Sequence, residues 1–177
     1  MPNANVSLQP GGPYLIKEIP LDANVIDAAI TGDKAYLINN RQELQSISFN
    51  TTEPLKVNAI SVPEKRAYQH IILNNNLALV GDDQGLFFIW ELSQDASSKT
   101  LSRWSLTANL KDIAIDRQHI AVLLDSGTLL LFRLDSSSPL ELLGQYEGLR
   151  GAHHLSINND TIYIAHGNTG VIVLDSS

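Results

Sequence analysis

One pattern is written four times along this chain. The segment Ile26-Asp-Ala-Ala-Ile-Thr-Gly-Asp-Lys-Ala-Tyr-Leu-Ile38 recurs as Gln69-His-Ile-Ile-Leu-Asn-Asn-Asn-Leu-Ala-Leu-Val80, as Lys111-Asp-Ile-Ala-Ile-Asp-Arg-Gln-His-Ile-Ala-Val-Leu123 and as His153-His-Leu-Ser-Ile-Asn-Asn-Asp-Thr-Ile-Tyr-Ile164. Asp27, His70, Asp112 and His154 share one aligned position, at spacings of 43, 42 and 42 residues. Units of this length fill nearly all of the 177 residues, so the fold has to be an array of one small unit rather than a single irregular core.

Within each unit, β-branched and aromatic runs bounded by polar turns read as short strands. In the first unit they fall at residues 26–31, 34–39, 43–49 and 55–62. The second and third strands are joined by turn-forming clusters: Asn39-Asn-Arg-Gln, Gly81-Asp-Asp-Gln-Gly, Asp125-Ser-Gly and His166-Gly-Asn-Thr-Gly. Gly and Asn supply the positive φ angles that tight hairpins need. No window shows a sustained 3.6-residue period with helix caps, so helix content is expected to be minimal. Four antiparallel strands repeating every ~40 to 45 residues is the period of β-propeller blades. The expectation is an all-β protein, a β-propeller of four four-stranded blades with about 16 strands.

The third strands include Gly85-Leu-Phe-Phe-Ile-Trp-Glu-Leu92, Thr128-Leu-Leu-Leu-Phe-Arg-Leu-Asp135 and Gly170-Val-Ile-Val-Leu-Asp175. Ala-Tyr-Leu and Ile-Tyr-Ile occur in the second strands of the first and last units, and Asn50-Thr-Thr-Glu-Pro54 and Asp135-Ser-Ser-Ser-Pro139 follow the third strands of the first and third. In these features residues 14–177 resemble LVIVD repeats, a family of bacterial and archaeal propeller repeats found mainly in secreted or surface-attached proteins. The resemblance implies a non-enzymatic binding or structural module of a larger extracellular or cell-envelope protein. Asn39-Asn-Arg-Gln-Glu43 departs from the pattern in lacking the turn glycine, and Gln94-Asp-Ala-Ser-Ser-Lys99 in lacking the proline. No unit carries the Gly-His and Trp-Asp pair of WD40 repeats.

The phase of the repeats bears on ring closure. Residues 14–21 read like the outer strands at 55–62, 100–106 and 140–147, while the last unit stops after a third strand. The N-terminal strand is therefore expected to complete the last blade and remove an exposed sheet edge. Residues 1–13 are read as a tail or linker. Three arrangements stay open: a four-bladed ring in one chain, an eight-bladed ring from a strand-exchanged homodimer, or a piece of a protein with more blades.

Composition excludes several function classes. Twelve Lys plus Arg against nineteen Asp plus Glu leave a net charge of −7, and Lys65-Arg66 is the one adjacent basic pair, which disfavours nucleic acid as a partner. Apolar runs reach five residues, as at 86–90 and 120–124, too short for a membrane helix or a signal-peptide core. The absence of cysteine removes disulfides, thiolate nucleophiles and Cys-type zinc sites.

Nucleophile elbows, phosphate loops, dinucleotide fingerprints and His-Glu-x-x-His are all missing. The aspartates of Gly81-Asp-Asp-Gln-Gly85 fall short of the oxygens calcium needs and read as a solvated turn. Asn-x-Ser/Thr triplets at Asn5, Asn50 and Asn159 carry no weight in an Asn- and Ser-rich chain. Trp90, Trp104, Tyr36 and Tyr163 read as blade packing, His153 and Arg150 as solvated rim groups. One constellation stands out. Asp27, His70, Asp112 and His154 each begin the first strand of a blade, which fourfold pseudo-symmetry brings to one end of a central channel. Two imidazoles and two carboxylates suit zinc or another first-row divalent ion; alternatively each Asp bonds a neighbouring His or backbone amide, stapling blade to blade. The leading functional expectation is a non-enzymatic module with a protein partner or self-association. The alternative is a metal-dependent hydrolase or lactonase with its ion in the channel.

Overall fold

Strictly local choices, apolar residues on alternate positions and turn formers between them, already dictate antiparallel strands. The computed structural model describes residues 18–49, 56–93, 96–116, 118–134, 140–158 and 160–176. It is all-β, with four antiparallel sheets in the manner of a propeller. Sheet 1 runs β1 (Val25–Thr31), β2 (Lys34–Asn39), β3 (Leu44–Ser48), β4 (Val57–Ile60); sheet 2 runs β5 (Tyr68–Asn74), β6 (Leu77–Asp82), β7 (Leu86–Leu92), β8 (Ser98–Ser105). Sheet 3 runs β9 (Leu110–Ile115), β10 (His119–Leu124), β11 (Leu129–Arg133), β12 (Glu141–Tyr146); sheet 4 runs β13 (Ala152–Asn158), β14 (Thr161–His166), β15 (Val171–Asp175). Among the described residues the one helical element is a single 3-10 turn, Gly167–Thr169. In every sheet the strands pair in sequence order, so each unit is a simple meander.

The second-to-third hairpins show how the missing glycine is managed. Gly85 and Gly127 take φ of +75° and +83°. Gln42, at the matching place in the first unit, takes the same left-handed conformation with φ 63°. Asn39 makes that tolerable: its Oδ1 accepts the amides of Arg41 and Glu43 at 2.9 and 3.2 Å. Asp82 does the same for Gln84 and Leu86 at 2.9 and 2.8 Å, and it also pairs with Arg66.

The core lies between the sheets, not within them. Inner strand packs on inner strand in the order β1, β5, β9, β13. Ile38, Leu44 and Ile60 of sheet 1 meet Val80, Phe88 and Trp90 of sheet 2. Leu79, Phe87 and Ile89 on the other face of sheet 2 meet Ile113, Val122 and Phe132. Ala121, Leu123 and Leu129 of sheet 3 meet Leu155, Ile162 and Ile164. Strands β6 and β10 are thus covered on both faces, which is why they read as continuous apolar runs. Trp104 of sheet 2 meets Phe132 of sheet 3 edge to face across their junction, and within sheet 2 Tyr68 meets Trp90 in the same way, each pair at 5.0 Å between centroids. The tryptophans pack blades, as their place in strand runs indicates.

Fifteen strands are described, against about sixteen expected, because sheet 4 has three. Residues 14–17 of the expected closing strand lie outside the described residues, and residues 18–21 are irregular. Ile19 and Leu21 pack on Ala35, Leu37 and Ile47 of sheet 1.

Two substitutions test this packing. Trp90 is fully buried, and Trp90→Ala should lower the unfolding free energy by about 3–5 kcal/mol in urea titrations. A Cβ on Gly127 would lie 2.4 Å from the Arg150 amide nitrogen, whereas one on Gly148, also at positive φ, meets nothing. Gly127→Ala should therefore melt well below Gly148→Ala, which carries only the backbone penalty of about 1–2 kcal/mol.

Candidate functional site

Each inner strand carries an irregularity at the same place. Register shifts fall between Val25 and Asp27, between Tyr68 and His70, opposite Leu110 to Asp112, and between Ala152 and His154. One extra residue, Ile26, Gln69, Lys111 or His153, is thus bulged immediately before the repeated polar position. A bulge bends the strand and re-aims the side chain that follows. It turns Asp27, His70, Asp112 and His154 along the row of inner strands.

What they do there differs between carboxylates and imidazoles. Asp27 Oδ2 accepts the amide of Ile71 on sheet 2 at 2.9 Å, while its Oδ1 accepts its own neighbour Ala28 at 2.8 Å. Asp112 Oδ2 accepts the amide of Leu155 on sheet 4 at 2.8 Å. The same oxygen lies 3.4 Å from Nδ1 of His154, whose side chain is 84% exposed. Both aspartates therefore staple their sheet to the next one through a charge-assisted hydrogen bond to the residue after the following histidine. His70 sits between Asp27 and Asp112. Burial pushes its pKa below the ordinary 6.5, and the two carboxylates oppose that shift. The structure brings Asp112 and His154 together and places His70 within the field of both aspartates.

A second polar group was not singled out by the repeat. Asp116, His119 and Asp160 have ligand atoms within 4.8 Å of one another, the only such group among the described residues. His119 Nδ1 lies 3.7 Å from Asp116 Oδ1 and 3.3 Å from Asp160 Oδ1, is closed off from solvent and makes no hydrogen bond. Asp116 Oδ1 accepts the amides of Gln118 and His119 at 3.0 and 2.8 Å. These residues border a polar hollow of about 690 Å³ that also touches Asn74 and Asn158, at the opposite ends of the inner strands from Asp27. Sequence offers no signal for the group, since it joins two different turns and one strand start. Between sheets 3 and 4 runs an apolar groove of about 540 Å³, lined by Leu129, Leu131, Leu143, Tyr146, Ile162 and Leu174.

No protein-family model matches the chain, and no curated protein matches it in sequence. Solved structures match in fold. The computationally designed Ika4 protein is 12% identical, with 94% of this chain and 99% of that one covered at a TM-score of 0.69. The designed Ika8 protein is 10% identical, covering 85% of this chain and 45% of that one at 0.66. The N-terminal domain of Nup159 is 16% identical, covering 96% of this chain and 45% of that one at 0.60. The chain thus spans less than half of the latter two. These likenesses support the propeller-type fold. Among the described residues no helix is long and apolar enough to cross a membrane.

Two outcomes follow. Asp112→Ala leaves the Leu155 amide without its carboxylate and should lower the unfolding free energy by about 1–3 kcal/mol. For His70, the folded state holds its proton more weakly than the unfolded chain, so stability falls as pH drops below about 6.5. The melting temperature should therefore decline between pH 7.5 and 5.5, and decline less in His70→Gln.

Proposed function

We propose that this chain is a non-enzymatic, propeller-type module that works by protein contact. Its finer form is four four-stranded blades, the last completed by the strand expected over residues 14–21. The LVIVD resemblance extends the reading to a larger secreted or cell-surface protein. The observation that carries it is the use made of the repeated polar position. Asp27 and Asp112 are engaged by backbone amides of the next sheet, a structural task that supports the non-enzymatic reading of that position. Apolar side chains meanwhile stand uncovered on the first and last sheets, among them Ile30, Tyr163, Val171 and Val173, the kind of surface that marks an interaction site.

The second reading is a metal-dependent hydrolase or lactonase. It draws either on Asp27, His70, Asp112 and His154 or on Asp116, His119 and Asp160, and the solvent-free, unbonded His119 Nδ1 is what favours the latter. Zinc content of the purified chain, followed by a panel of ester and lactone substrates, separates the two. The module reading expects far less than one zinc per chain and no turnover. Stoichiometric zinc with turnover, both lost in His119→Ala or in His70→Ala with His154→Ala, would establish the enzyme instead.

A further inference from the structure

The three junctions between sheets are built from the same positions of the repeat. On the face that a sheet turns to its successor, the third strand begins with Leu44, Phe87 and Leu129, paired to Ile38, Gly81 and Leu123. All three are buried in the junction cores. The counterpart in sheet 4 is Val171, paired to Ala165, and it is 64% exposed. On the same face Tyr36, Leu79 and Ala121 pack into the cores, while their counterpart Tyr163 and its partner Val173 are 44% and 58% exposed. On the face turned to the predecessor, Leu73, Ile115 and Ile157 are packed, while Ile30 in sheet 1 is 70% exposed. Residues 18–21 cover only the outer part of that face, over Ala35, Leu37 and Ile47. Sheet 4 therefore offers a face made for a following sheet, and sheet 1 a face made for a preceding one.

We propose that a second copy of this chain covers both: sheet 4 of each copy stacks on sheet 1 of the other, and the two equal junctions close a ring of eight sheets. This rests on the reading of the chain as a protein-contact module and names its partner. Charge order selects the occupant. Along the inner strands a carboxylate alternates with an imidazole, Asp27, His70, Asp112, His154, with Asp112 3.4 Å from His154. The row ends on His154, whose side chain is 84% exposed, so the next sheet in order is one that begins with Asp, as sheet 1 does. The arrangement of the inner strands selects the second copy over the chain's own first sheet. β1 packs on β5, β5 on β9 and β9 on β13, but β13 does not pack on β1 in that way, so both faces stand open at once. A two-fold pair satisfies both with a single kind of contact and leaves no open end to propagate.

The mass of the native chain in solution at micromolar concentration is the first test, by light scattering: twice the 19.4 kDa chain mass is expected, and the mass of one chain overturns the proposal. The second uses the absence of cysteine. Second strands pack on the inner strand of the following sheet, β2 on β5 and β10 on β13, which puts Tyr163 of one copy beside β1 of the other. The double variant Ile30→Cys with Tyr163→Cys, oxidised and run under denaturing conditions, should give a species of two chains. A link within one chain, or no link in a variant with a native-like circular dichroism spectrum, contradicts the second copy. If the variant does not fold, the mass of the native chain decides alone. These outcomes bear on the partner, while zinc content and turnover bear on the non-enzymatic reading.

Discussion

Everything in this molecule depends on the burial of one sheet face against the next. A single meander of three or four short strands has two apolar faces and cannot shield either by itself, so an isolated unit would be at best marginal. Stacked in order, each sheet supplies a cover to its neighbour, and the second strands of sheets 2 and 3, sandwiched twice, become the driest parts of the chain. Val80, Leu79, Val122 and Leu123 are all fully buried for that reason. The energetic unit is the junction, as expected where stability is a sum of neighbour terms.

The polar contribution is subordinate but directional. Apolar faces alone tolerate slippage of one sheet over another, whereas the hydrogen bonds from Ile71 to Asp27 and from Leu155 to Asp112 hold β1 to β5 and β9 to β13 at one height. The bulge before each of these positions is what lets a side chain from a regular ladder reach across to the next sheet. Histidine at the alternate positions keeps the row from accumulating negative charge, at the cost of acid sensitivity where His70 is half-buried.

Most of the fold was legible because a repeat states the same thing four times. The strand runs, the turn clusters and the blade-packing place of Trp90 all follow from residue type at fixed offsets. The stapling role of Asp27 and Asp112 was among the alternatives read from the aligned position, and its geometry is now explicit. The bulges were not legible: Ile26, Gln69, Lys111 and His153 share no residue type, and one extra residue leaves no trace in a two-residue period. Nor was the Asp116, His119 and Asp160 group, since Asp160 approaches His119 only once sheets 3 and 4 are stacked. The glycine-free hairpin at Gln42 shows the same limit, with Asn39 supplying through its side chain what the backbone of glycine supplies elsewhere.

If the junctions hold the sheets, an amide at a junction should be as hard to expose as one in the middle of a sheet. Hydrogen exchange followed amide by amide under native conditions measures this directly. The account predicts that Ile71 and Leu155, whose amides cross to the preceding sheet, exchange only through openings as costly as those of Leu79 and Val122, at the centres of sheets 2 and 3. Exchange at Ile71 and Leu155 that is orders of magnitude faster, while Leu79 and Val122 stay protected, would show sheets that are stable one by one, and would contradict it.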